Sequence, residues 1–173
     1  VSKKGGGLGV NIQPIRSIGS EISTGGESNG LVPMLKVVES TINYVSQSNR
    51  RRGSAAIFVE SWNRQIKDIC DLRLNTGAEA TRARDLFTAI VLNDLFLERV
   101  QQDGWWCLFC ITQTPDLQDK FGADFTAAFK AYEREYEKYD GLRVRAREIW
   151  FGILKSMQET STPYLLRSEE HTS

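Results

Sequence analysis

Between Leu31 and Val45, the apolar residues Leu31, Leu35, Val38, Ile42 and Val45 recur at spacings of four, three, four and three. That rhythm puts them on one stripe of an α-helix, and Pro33 is tolerated in its first turn. Residues 8–12 alternate apolar and other positions and predict a short strand. Residues 55–59 and 86–92 are short apolar runs, rich in alanine, valine and isoleucine, and predict buried strands. Residues 105–111 are a third such run, and residues 163–166 predict a final strand. Ser61 is a candidate cap for a helix reaching about Arg73. Asn93 is a candidate cap for a helix over 94–102, with Asp94 favourable in the first turn and Asp103-Gly104 ending it. Residues 121–139 and 142–159 carry long helical patterns, the first with Phe125, Ala128, Phe129 and Tyr132. Strands alternating with helices predict an α/β architecture with at least partly parallel pairing. Periodicity does not say whether such a sheet is open or closed.

Composition narrows the function classes. Twenty-two basic and 22 acidic residues give no net charge, which argues against bulk nucleic-acid binding or an anionic-membrane anchor. No apolar run reaches the ~18–20 residues of a membrane helix. Three cysteines do not make a secreted disulfide scaffold, so a reducing, cytoplasmic setting is expected. The single histidine is His171, which leaves no internal histidine for a triad, a His-Glu-x-x-His zinc site or a general base. Val1 is no initiator, so the chain is expected to start inside a longer protein. Residues 167–173, RSEEHTS, resemble the translation of a common sequencing-adapter oligonucleotide and are expected to lie outside the fold.

Nine of the 14 glycines fall in the first 53 residues. Residues 17–29 are rich in Ser, Gly, Thr and Glu and predict a loop. Lys3-Lys4-Gly5-Gly6-Gly7-Leu8-Gly9 resembles a phosphate-cradling loop but fails both common templates. Its lysines precede the glycines, and Val10 stands where a dinucleotide fingerprint needs glycine. A ligand contact and a tight turn both remain open for it. Residues 47–53 hold three adjacent arginines, which suit either a solvated charge run or phosphate and base recognition. Cys107 and Cys110 form a Cys-x-x-Cys, but on a strand these positions point to opposite faces, so structural cysteines are expected. Local pairing with Asp85 is expected for Arg82 and Arg84. The four tryptophans are expected in the core or at interfaces, and residues 133–138 on a solvated face.

Six segments carry a family resemblance: SKKGGGLGVNIQPIRSIGS, SNGLVPMLKV, YVSQSNRRRGSAAIF, RARDLF, NDLFLERV and ETSTPYLL. Together and in this order they resemble the class I ribonucleotide reductase large (alpha, catalytic) subunits, over residues 1–166. The resemblance implies an early-middle part of a ten-stranded α/β barrel, in a protein that reduces the ribonucleotide 2′-hydroxyl by a cysteine-radical mechanism. It implies a ribonucleoside diphosphate substrate and a dNTP or ATP specificity effector. It also implies a metal-containing small subunit that generates the radical and a second large subunit as partners, with neither nucleic acid nor membrane.

Residue by residue, Gly5, Gly6 and Gly7 match a glycine-rich stretch whose backbone lies against substrate. Gln47 and Arg51 match the glutamine and the base-contacting arginine of a loop that bridges effector and substrate. Lys3 and Arg16 match basic residues near the effector phosphates, and Ser23 and Thr24 the adjoining effector loop. Ser48-Asn49 stands where relatives often carry two glycines, and Ser161 replaces a common glycine. The family's radical cysteine and its redox cysteine pair fall outside this segment, and Cys70, Cys107 and Cys110 do not take their positions. The segment is thus expected to hold no catalytic residue, metal or resident cofactor and to be inactive alone. Two alternatives are a stand-alone non-catalytic nucleotide-binding module and a piece of an adenosylcobalamin-dependent (class II) reductase.

Overall fold

A computed structural model of the chain describes residues 6–45 and 53–168. Four parallel strands, β1 (Gly7–Asn11), β2 (Ser54–Glu60), β3 (Leu86–Leu92) and β6 (Tyr164–Arg167), form one sheet in that order. Helix α1 (Leu31–Val45) links β1 to β2, and α2 (Ile66–Asp71) lies between β2 and β3. Helices α3 (Asp94–Gln101), α4 (Gly122–Arg134) and α5 (Ala146–Thr160) fall between β3 and β6. Strands β4 (Trp105–Leu108) and β5 (Leu142–Arg145) form a separate antiparallel pair. The architecture is α/β with a parallel sheet, and among the described residues the sheet is not closed.

Within the four-stranded sheet the strands lie in chain order, β6 entering beside β3 after the separate β4–β5 pair, and parallel connections of one hand pack their helices against one face. Alternation along the strands makes that face the core: Ala55, Ile57 and Val59 of β2 are at most 1% exposed, as are Leu86 and Ile90 of β3. The opposite face is only half-buried at Ala56, Phe58 and Phe87. Gly9, Ala56, Phe58, Phe87 and Tyr164 line a shallow apolar recess of about 520 Å³ on it.

Helix α1 and strand β3 have the predicted bounds, because their patterns are long and regular. Elsewhere tertiary contacts moved the boundaries. Ser61 does not cap a helix to Arg73: its hydroxyl donates to Asn93 Oδ1 at 3.2 Å, and the helix starts only at Ile66. Asn93 occupies the position before α3, but without a side-chain capping bond. The run 105–111 does not join the main sheet; only its first four residues are strand, paired with β5. Residues 142–145, predicted helical, are that partner strand, with Val144 buried against Trp106. Helix α4 stops at Arg134, before turns at 135–140. β6 runs through Arg167, one residue beyond the Leu166 boundary expected from the sequence; Arg167 makes a bidentate contact with Asp94.

The expected pairing of Arg82 and Arg84 with Asp85 is also replaced. Arg84 pairs with Glu79 at 2.6 Å, Arg82 bonds to carbonyls of Thr76 and Thr81, and Asp85 accepts from Asn43. Trp62 and Trp106 are fully buried, whereas Trp105 is 38% exposed and carries the guanidinium groups of Arg143 and Arg145 over its ring. Within the expected solvated run, Glu133 turns inward to Arg99 at 3.0 Å.

Candidate functional site

Ligands of open parallel sheets gather beyond the strands' carboxyl ends. Here those ends carry a buried polar floor. Gln13, 1% exposed, accepts at Oε1 from the Glu60 amide and from Asn63 Nδ2. Asn63 Oδ1 accepts from the Gln65 amide at 2.9 Å. Ser61 holds Asn93, and its carbonyl takes the Trp106 indole N–H. Glu60 faces this floor. Burial pushes its carboxyl up to about 7, partly offset by a hydrogen bond from Asn93, and its Oε2 has no partner among the described residues.

From this floor rises the segment after β1. Predicted as a loop, it is a miniature antiparallel ribbon. Gly19 donates to the Ser28 carbonyl, Ser28 to the Ser20 carbonyl, and Ile22 to the Gly26 carbonyl. Glu21 and Glu27 pair across it. The tight tip uses Gly25 and Gly26, at φ of 87° and 103°, which only glycine adopts freely. Ser23 and Thr24 sit exposed at this tip. Arg16 stands at the base, half-buried, and donates from Nη1 to the Glu21 carbonyl at 2.7 Å. The structure therefore brings Arg16, Ser23 and Thr24 onto one ribbon.

Two chain segments hold the base of this ribbon, and they pair with each other. Phe109 donates to the Trp62 carbonyl and Arg64 to the Phe109 carbonyl, a parallel bridge beyond β2 and β4. Gln65 and Cys110 follow directly on each side. Gln65 Oε1 accepts from the amides of Ile18 and Leu31, both at 3.0 Å. Cys110 Sγ accepts from the Ser17 amide at 3.2 Å and lies 3.1 Å from both Ser20 Oγ and Thr112 Oγ1. Burial alone raises its pKa, but the bonds from Ser20, Thr112 and Ser17 outweigh it and bring the thiol down to about 7. Cys107 is the opposite case: burial and then Glu133 push it up to about 12. Burial and then Asp71 do the same for Cys70. The two ends of the Cys-x-x-Cys thus differ in kind. Among the described residues no group of three or more His, Cys, Asp and Glu could hold a metal.

The other candidate residues divide. Gly6 and Gly7 lie at the opposite end of β1, roughly 16 Å of strand away from the ribbon. There Gly7 pairs in register with Ser54, the first residue of β2. Lys3, Gly5, Gln47 and Arg51 lie outside the described residues. Gln65 and Asn63 were not anticipated, because nothing in their spacing marks them; Cys110 was visible only as half of a Cys-x-x-Cys.

Comparison with known proteins gives this geometry a context. A family model described as ribonucleotide reductase, barrel domain, matches residues 1–171. A ribonucleoside-diphosphate reductase large subunit of Arabidopsis thaliana is 46% identical over 168 residues, covering 96% of this chain and 20% of the relative. A large chain 2 of Saccharomyces cerevisiae is 44% identical, with 96% of this chain and 19% of the relative covered. A large subunit of Vaccinia virus is also 44% identical, with 96% and 22% covered. The chain thus spans about a fifth of the length of these curated relatives. No helix among the described residues is long and apolar enough to cross a membrane. With 171 of its residues matched and more than two-fifths identity to each of these relatives, the chain belongs to the ribonucleotide reductase barrel-domain family.

Proposed function

We propose that the chain is a segment of a ribonucleoside-diphosphate reductase large subunit that supplies one wall of the specificity-effector site and part of the substrate pocket. The observation that carries this reading is the ribbon. It presents Arg16, Ser23 and Thr24 together on a hydrogen-bonded frame beyond the sheet. A guanidinium and two exposed hydroxyls carried on one frame suit the phosphates of a dNTP or ATP.

At the other end of β1, Gly5, Gly6 and Gly7 would lie against the ribonucleoside diphosphate. The register of Gly7 with Ser54 supports this, since it returns the chain from 46–52 to the sheet beside the glycines. Gln47 and Arg51 would then reach from effector to substrate base, and Lys3 would approach the effector phosphates. The half-buried apolar recess on the second face of the sheet supports its being an arc of a ten-stranded barrel, because further chain would complete the cover of such a face. Reduction of the 2′-hydroxyl would fall to a radical cysteine elsewhere in the whole protein, fed by a metal-containing small subunit and working in a pair of large subunits. The residues 167–173 are proposed to be foreign to that protein.

The test is dNTP affinity in the full-length large subunit carrying this segment. Arg16→Ala should weaken effector binding by roughly tenfold or more, the worth of one or two charge-assisted hydrogen bonds. Unchanged affinity would remove Arg16 from the site. Arg51→Ala should blunt the effector's control of which base is reduced, read as the ratio of kcat/KM values for two substrates.

A further inference from the structure

The ribbon of residues 17–30 enters and leaves the fold through one narrow neck, and a single side-chain oxygen closes it. Gln65 Oε1 takes the amide of Ile18 on the way in and the amide of Leu31 on the way out, both at 3.0 Å. Leu31 opens α1, whose first turn contains no acidic side chain, so Gln65 caps that helix from 34 positions away. The glutamine has no freedom to turn. It is 4% exposed, its Nε2 donates to Asp68 Oδ2 at 3.0 Å, and its own amide is held by Asn63. Gly30 shows how tight the neck is: at φ 80°, a Cβ there would stand 2.7 Å from Gln65 Oε1 and 2.8 Å from the Ile18 Cβ. Cys110 adds the second tie, to Ser17 and Ser20.

We propose that Gln65, seconded by Cys110, is the positioning residue of the effector ribbon. It touches no nucleotide. It fixes the ribbon's base so that Arg16, Ser23 and Thr24 are already arranged before an effector arrives. This rests on the effector reading of those three residues. An ordered loop binds more tightly than a floppy one because the ordering cost is met in folding rather than in binding. Without the clamp, that cost returns at the moment a dNTP binds, and affinity falls while the chemistry is untouched.

The experiment uses the full-length large subunit carrying this segment, with Gln65→Ala, Cys110→Ser, and the pair Gln65→Glu with Asp68→Asn. The pair keeps an oxygen for both amides and gives the residue at position 68 a donor in place of an acceptor. Deuterium exchange is followed at the Ile18 and Leu31 amides, alongside dNTP affinity and effector-free kcat and KM. For Gln65→Ala we expect about tenfold faster exchange at both amides and about tenfold weaker dNTP binding, the loss of two ordinary hydrogen bonds. Effector-free kcat and KM stay at the parent values. Cys110→Ser shifts exchange and affinity in the same direction by less, and the charge-swapped pair restores both. Unchanged exchange in Gln65→Ala overturns the clamp. Faster exchange with unchanged dNTP affinity, in a protein where Arg16→Ala does weaken binding, overturns the positioning role. If Arg16→Ala itself leaves affinity unchanged, the effector reading has failed, and the positioning role falls with it even where exchange confirms the clamp.

Discussion

Two regions of the molecule are equally buried and held in opposite ways. Under β4 and α4, Phe96, Trp106, Phe109, Phe125 and Phe129 form an aromatic cluster, each at most 2% exposed. Phe129 is its hub, stacked 4.2 Å from Trp106 and 5.5 Å from Phe125, and edge-on to Phe109 at 5.8 Å. Beyond the carboxyl ends of β1, β2 and β3, the polar floor of Gln13, Ser61, Asn63, Gln65 and Asn93 is scarcely more exposed. Apolar burial is non-directional and scales with area, so the aromatic cluster supplies stability. Hydrogen bonds contribute less net free energy but fail when misdirected, so the polar floor supplies geometry. The ribbon stands on the second region, and the first keeps the Phe109 bridge beneath it in place.

The contrast can be broken most forcefully at Phe129. Phe129→Ala should cost about 3–5 kcal/mol of stability in urea unfolding, the usual toll of emptying a packed aromatic site. A loss below about 1 kcal/mol would mean that the cluster collapses without penalty and is not the stabilising region.

Glu60 sharpens the other side. Its carboxyl titrates at about 7 in the fold, against 4.5 for the ordinary group. Folding therefore favours the protonated form. The contribution is fully present below about 4.5 and is lost as pH rises through 7. Glu60→Gln should stabilise the chain by up to about 3 kcal/mol near pH 8 and by almost nothing near pH 4. Equal effects at both pH values would show that the carboxyl is solvated.

The smallest effect concerns Cys110, whose thiol titrates at about 7 against an ordinary 9.0. Here folding favours the thiolate. The added stability is present above about 9 and is lost as pH falls through 7. Thiolate absorbance should show one cysteine of three ionising near neutrality, and Cys110→Ser should remove that step alone. If the step persists, it belongs to another thiol.

The sequence carried some of this plainly. The stripe from Leu31 to Val45 and the run from Leu86 to Leu92 gave their elements with the observed ends, since local pattern and tertiary burial agree there. It failed where a distant partner outbid a local one. Ser61 looked like a cap, but Asn93 took its hydroxyl. Residues 142–145 looked helical, but β4 needed a partner strand. Arg84 had Asp85 beside it and chose Glu79.

The same division holds for the candidate site. Family membership and the α/β alternation were legible from the chain alone, because motif order and hydrophobic period are properties of a string; Arg16, Ser23 and Thr24 are candidates that the resemblance names. That these three share one ribbon was decided by backbone pairing between residues 19–22 and 26–28. That the ribbon has a fixed base was decided by Gln65 and Cys110, which lie 47 and 93 positions from the amides of Ile18 and Ser17 that they hold. No local rule ties residues so far apart. Their meeting follows only once β2 and β4 have brought the Trp62 and Phe109 backbones within hydrogen-bonding distance.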